Sequence, residues 1–277
     1  MEQRELSLFK NIKIRTSKKL NTAFVGEYHS AFKGHGISFD NVREYQYGDD
    51  IKSIDWNVSA RMNHLYIKEY IEERDLSVVL LLDVSSSTEF GTSRTKRDLI
   101  LEVATIFLYL AQMNNDSISV ILFSDKIEKF IKPQKGRKFI LKVLDEILKC
   151  KPDSKATNIT DALNFSQKVL KKRSIIFLIS DFLDKSEYLL KLKHISRKHD
   201  VIPIQIIDSL ENKIPFFGLT EFLDLETQEL FLSDAIPEQG NVPILSGFDF
   251  IKLRTDEPVE KPILKFFEKR NRSHYMR

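Results

Sequence analysis

Hydrophobic and polar positions switch between two periods along the middle of the chain. Ser77–Asp83 (SVVLLLD) is a short, nearly all-apolar run, as expected of a strand covered on both faces. From Arg94 to Met113, Leu99, Ile100, Val103, Ala104, Phe107, Leu108 and Ala111 recur at helical spacing, with Thr92 or Ser93 placed to cap the helix. SISVILF (117–123) reads as a strand and KIEKFIKP (126–133) as its hairpin partner, ended by proline. Phe139, Ile140, Val143, Leu144, Ile147 and Leu148 mark a second helix, and Asn158 with Asp161 opens a third. SIIFLIS (174–180) predicts a buried strand, Ser186–Arg197 a helix, and VIPIQII (201–207) a further strand. This alternation implies right-handed crossovers and a mainly parallel α/β sheet with helices on both faces.

The flanks follow other patterns. Residues 1–75 are polar and aromatic, punctuated by Gly26, Gly34, Gly36 and Gly48, and end in an imperfectly alternating strand at 65–73. At the other end, 220–233 reads as two strand-like arms, 250–255 as a strand, and the chain from Pro258 as a helix with Ile263, Leu264, Phe266 and Phe267 on its apolar face. With no flexible linker between zones, residues 1–75 are expected to form an extension packed on a main domain spanning 76–277.

Composition narrows the chemistry. The 277 residues are 42% hydrophobic, enough for a sizeable core, so disorder is not expected. Cys150 stands alone, which excludes an intramolecular disulfide and a multi-cysteine zinc site. The net charge is only +3, unevenly spread: residues 1–24 carry six basic and two acidic groups, whereas 208–260 carry three basic and 12 acidic. Basic termini suggest nucleic acid or an anionic surface, but no recognition motif or interleaved stacking aromatics accompany them. No apolar run is long enough to span a membrane and no signal-peptide core begins the chain, so a cytoplasmic protein is expected. His29, His35 and His64 have no metal-ligand spacing.

Oxygen-bearing side chains remain, and they gather where strands end. Asp83-Val84-Ser85-Ser86-Ser87 follows the first all-apolar strand, Thr157 precedes the helix opening at Asn158, and Ser180-Asp181 ends the strand 174–180. In open parallel sheets ligands bind outside these carboxyl ends. Carboxylates and hydroxyls without a nearby His or Cys suit a hard cation such as Mg2+.

Asp83-x-Ser85-x-Ser87, Thr157 in ATNITDAL and Asp181 in LISDF resemble the metal-ion-dependent adhesion site (MIDAS) of von Willebrand factor type A domains. The resemblance implies a Rossmann-like fold in which Asp83, Ser85 and Ser87 hold Mg2+ or Mn2+, Thr157 joins in some states, and Asp181 acts through water. It also implies one coordination position open to a carboxylate of a protein partner. Lys155-Ala156 departs from the small glycines usual before the Thr.

Residues 34–75 are similar to the signature of domain of unknown function family 58: Arg43-Glu44-Tyr45, Gly48-Asp49-Asp50, Ile54-Asp55-Trp56 and Ala60-Arg61. Arg43, Glu44, Asp49, Asp50, Asp55 and Arg61 are read as a charge-assisted cluster, with Trp56 as apolar anchor, that locks the extension onto the sheet. The rival reading is a partner-binding surface. The resemblance implies a bacterial accessory protein that works with a MoxR-type AAA+ ATPase in assembling or maturing other proteins.

Three functions compete on these residues: a metal-dependent protein-binding module, a hydrolase or phosphotransferase built on Asp83, and an anionic-surface binder. The second lacks an Asp two positions after Asp83, a G-x-S-x-G elbow and a phosphate-binding loop. The first, without catalysis, is the reading carried forward.

Overall fold

Alternation along one strand builds two cores. In β3 (Ser77–Asp83), Val78, Leu80 and Leu82 point to one face while Val79 and Leu81 point to the other, all buried. The computed structural model describes residues 22–32, 37–72, 76–150, 156–184, 186–212, 220–223, 230–233, 245 and 247–275. The basic segment 1–21, His35, Lys155 and much of the acidic stretch 208–260 lie outside them.

β3 pairs in parallel with β4 (Ser117–Phe123) on one side and β6 (Ile175–Ser180) on the other. β7 (Asp200–Ile207) and β10 (Ile251–Arg254) extend the sheet in parallel beyond β6, and β5 (Ile127–Gln134) closes the opposite edge antiparallel to β4. The order β10-β7-β6-β3-β4-β5 makes a mixed α/β fold with a mainly parallel six-stranded sheet. Pro133 does not end the strand as expected: β5 runs through it to Gln134, on a sheet edge where a residue without an N–H is tolerated. The chain leaves β3 toward β4 but later returns to β3's other side as β6, so the strand order reverses between β3 and β6.

Helices cover both faces. α3 (Lys96–Met113), α4 (Arg137–Lys149) and α8 (Glu260–Tyr275) pack on the first core, and α5 (Ile159–Val169) and α6 (Tyr188–Ile195) on the second. α3 starts later than the sequence suggested. Its cap is Thr95, in a reciprocal capping box with Asp98, whereas Thr92 bonds Asp208 and Ser93 Oγ donates to the Thr255 carbonyl. A further helix, α1 (Thr22–Phe32), runs through Gly26, which the sequence had suggested as punctuation. Phe24, Tyr28, Ala31 and Phe32 of α1 are buried in the first core, where the Phe32 ring meets Phe177 and Phe267 edge-on at 5.9 and 5.7 Å. Tertiary burial here overrides the modest cost of one helical glycine.

Residues 37–72 form a smaller unit. β1 (Ile37–Glu44) and β2 (Tyr66–Glu72) pair antiparallel with a bulge between Phe39 and Asn41, and α2 (Trp56–Met62) lies in the connection. β8 (Thr220–Leu223) and β9 (Leu230–Ser233) form a separate antiparallel pair, matching the two arms expected there. Among the described residues, no helix is long and apolar enough to cross a membrane.

Candidate functional site

Strand parity decides which side chains meet at the carboxyl edge. Asp83 continues the Val79–Leu81 series and Ser180 the Ile176–Leu178 series, so both face the side covered by α5 and α6. Ser180 Oγ donates to Asp83 Oδ2 at 2.6 Å and accepts the Phe182 N–H at 3.0 Å. Asp83 Oδ1 accepts the Ser85 N–H at 3.0 Å and the Ser85 hydroxyl at 2.6 Å, and Ser85 Oγ lies 3.1 Å from Ser87 Oγ. Asp83, Ser85 and Ser87 are thus one hydrogen-bonded group. The chain then turns back on itself so closely that a Cβ on Gly91 would stand 2.0 Å from the Arg94 carbonyl oxygen, which reserves that position for glycine.

Thr157 stands just before α5, whose first residues are tied to the ends of β4 and β6. The Asn158 N–H donates to the Ser124 carbonyl at the end of β4 (2.8 Å), and Asn158 Oδ1 caps α5 through the Asp161 N–H. The Ile159 N–H donates to Asp184 in the loop after β6 (2.6 Å), and Asp184 also accepts the Ser186 N–H and hydroxyl at 2.7 Å each. The Thr157 hydroxyl is buried and has no hydrogen-bond partner. Other buried polar atoms lack partners too, as at Gln112 and His199, but Thr157 alone among them belongs to the expected ligand set. A groove of about 510 Å³ runs along the starts of α5 and α6, lined in part by Asn158, Asp161, Ser186, Glu187, Lys191 and His194, and none of Asp83, Ser85, Ser87, Thr157 or Asp181 lines it.

Asp181 has the opposite parity from Ser180 and turns toward the face covered by α3. There its Oδ2 lies 2.9 Å from the Lys96 ammonium, and Lys96 also pairs with Glu211 of the short helix α7 (Ser209–Asn212). Burial alone would lower the Lys96 pKa, but Asp181 and Glu211 outweigh it and raise it. The reversal after Asp181 places Phe182 at φ 61°, a left-handed backbone that a bulky residue adopts at a cost of about 1–2 kcal/mol. Burial, followed by the charge of Asp181, pushes the Asp83 carboxyl up to about 7, against hydrogen bonds from Ser180 and Ser85.

These residues fit a divalent cation. Their donors are all oxygen, the Thr157 hydroxyl is buried without a partner, and the Asp83 charge is disfavoured by its surroundings, as a carboxylate awaiting a counter-ion would be. No group of three or more His, Cys, Asp or Glu able to hold a metal occurs among the described residues, so a site here depends on hydroxyls. Ser180 and Lys96 were absent from the expected set. A basic residue in the first turn of α3, where the helix dipole favours acids, was the sequence signal for Lys96.

The residues expected to lock the N-terminal unit bond within it. Arg43 makes a two-pronged pair with Asp49, both contacts 2.8 Å, and reaches Glu69 at 2.6 Å. The Arg43 hydrogen bonds hold Asp49 below the usual carboxylate range. Asp50 caps a 3-10 turn through the Lys52 N–H, and Asp55 caps α2 through Asn57 and Val58 N–H groups. Glu44 contributes its carbonyl to Arg43. Trp56, at 65% exposure, is not the expected apolar anchor, and Arg61 is exposed too. α1, not this cluster, fills the sheet core.

Known proteins share this chain's sequence and architecture. Uncharacterized protein Rv1480 of Mycobacterium tuberculosis and Uncharacterized protein Mb1516 of Mycobacterium bovis are each 24% identical over 281 residues, covering 95% of this chain and 89% of theirs. The crystal structure of the conserved hypothetical protein BatB from Bacteroides thetaiotaomicron matches with a TM-score of 0.50 at 14% identity, over 71% of this chain and 99% of that one, a likeness of fold alone. The family model described as "Protein of unknown function DUF58" spans residues 41–239, from the Arg43–Asp49 unit through the strand ends that carry Asp83 and Asp181, and the chain belongs to that family.

Proposed function

We propose that this protein is a von Willebrand factor type A-like, metal-dependent protein-binding module and not an enzyme. Asp83, Ser85, Ser87 and Thr157 would hold Mg2+ or Mn2+, with Asp181 in support. The unpartnered, buried Thr157 hydroxyl, at the start of the helix covering the sheet face that Asp83 meets, carries this reading together with the bonded Asp83–Ser85–Ser87 group. A bound cation would supply a positive centre with one coordination position left for a partner's carboxylate. The protein's own groups orient the donors: Ser180 fixes one Asp83 oxygen, the Ser85 backbone fixes the other, and Asp184 holds the start of α5. Nucleophilic chemistry is disfavoured because no His stands among these bonded groups to take a proton from Ser85 or Ser87.

A MoxR-type AAA+ ATPase is the proposed working partner, in assembly or maturation of other proteins. Calorimetric titration of Mg2+ and Mn2+ into wild type and Asp83→Ala tests the site, with binding expected only in wild type. Pull-down of a purified MoxR-type ATPase by both proteins, with Mg2+ or chelator, tests the partner. Absence of any wild-type heat overturns the metal reading, and capture indifferent to Asp83 and chelator overturns the docking role.

A further inference from the structure

A lysine ammonium is seldom fully buried, and Lys96 is only 1% exposed. Its Nζ is shared between Asp181 Oδ2, 2.9 Å away, and Glu211 Oε1. Both partners are fixed from behind. Asp181 Oδ1 accepts the Leu183 N–H at 3.2 Å, and Glu211 Oε2 accepts the Asp208 N–H at 3.0 Å. The Phe90 ring lies against the ammonium at 6.0 Å. Asp181 and Glu211 therefore share the Lys96 ammonium, and Asp181 in turn lies close enough to Asp83 for its charge to act there. That cation stands on the very carboxylate that would support a metal ion.

We propose that Lys96 is a built-in counter-ion that competes with the divalent cation for Asp181. It neutralises the edge when no metal is bound and weakens metal affinity when one is. The inference rests on the cation-binding reading above. Its physical basis is short-range repulsion between an ammonium and a dication sharing one carboxylate in a poorly solvated site. A purely structural salt bridge would instead contribute to folding and leave cation affinity unchanged.

The test is calorimetric titration of Mg2+ and Mn2+ into the full chain. The variants are Lys96→Gln, Glu211→Gln, Asp181→Asn and Lys96→Gln combined with Asp181→Asn. Lys96→Gln is expected to tighten binding roughly tenfold or more. Glu211→Gln leaves the ammonium wholly on Asp181 and is expected to weaken it. If Lys96 acts through Asp181, its effect falls below about threefold in the Asp181→Asn background, as coupled residues require. An unchanged affinity for Lys96→Gln while wild type binds overturns the inference alone. A gain of equal size without Asp181 also overturns it, because that gain reports a general field. No heat from wild type overturns the cation reading itself, and this inference with it. Should Lys96→Gln fail to fold by far-ultraviolet circular dichroism, Glu211→Gln decides, and an unchanged affinity there overturns the proposal.

Discussion

Asp83 is where the demands of folding and of the site oppose each other. The carboxyl is fully buried, and burial with the nearby Asp181 charge raises its pKa from 3.8 to about 7. Between those values the native chain binds more protons than the unfolded chain. The Asp83 contribution to metal-free stability must therefore fall as pH rises from about 4 to about 7, and level off above. About three units at 1.36 kcal/mol each amount to about 4 kcal/mol. Asp83→Asn removes the charge and keeps the shape. Its carbonyl still accepts from Ser85, and its amide donates to the Ser180 hydroxyl, which rotates to accept. In chelator at pH 8, Asp83→Asn is thus expected to exceed wild type by about 2–4 kcal/mol, with the gap closing toward pH 5. Urea unfolding followed by circular dichroism at pH 5, 6.5 and 8 measures both trends. Added Mg2+ should stabilise wild type and leave the variant unmoved. A variant less stable than wild type at pH 8, or a gap that ignores pH, refutes the reasoning.

Phe32→Ala removes a ring packed against Phe177 and Phe267 and should destabilise the protein by about 3–5 kcal/mol in urea unfolding, and a loss under about 1 would mean that α1 does not fill the core. Thr157→Val deletes the unpartnered hydroxyl at near-constant volume, so metal-free stability should hold or rise slightly while calorimetric Mg2+ affinity falls about tenfold, and equal affinity argues against Thr157 as a ligand. Trp56→Ala should change unfolding stability by less than about 0.5 kcal/mol because the indole is mostly solvated, and a loss above about 2 would place it in a buried contact. Arg43→Ala should speed amide exchange at Gln46 and Asp49 without moving the thermal midpoint of the sheet domain, and unchanged exchange would show that the Asp49 pair does not hold that loop.

The six-stranded sheet was legible because four of its five parallel strands, β3, β4, β6 and β7, are short and largely apolar, and the helices between them keep their period. The start of α3 was misplaced because Thr92, Ser93 and Thr95 are all competent caps. Which one serves depends on partners over a hundred residues away, since Asp208 and the Thr255 carbonyl engage the first two. α1 was missed because Gly26 and a weakly segregated pattern hide a helix whose stability comes from aromatic contacts with α8 and β6. In the N-terminal signature, the acids of Asp49, Asp50 and Asp55 were visible, but their use as local caps and as a partner for Arg43 needed the chain's path.

Topology explains why the candidate ligands converge although more than 90 residues separate Asp83 from Asp181. The sheet grows from β3 first toward β4 and later toward β6, so the connections diverge over the two adjacent strand ends and leave a crevice between them. Asp83 and Ser180 meet inside it because they share parity on paired strands. Thr157 arrives because α5 covers that same face. Asp181, one residue further, must point to the other face, where α3 starts and its first-turn lysine meets it. The proposed ligand set and its proposed competitor therefore follow from one fact, the two-residue period of β6. Exchanging the two residues, Ser180→Asp with Asp181→Ser, would exchange the two roles, putting a hydroxyl toward Lys96 and a second carboxylate against Asp83. Such a variant is expected to lose cation binding in calorimetry, and retained affinity would contradict the role given to parity.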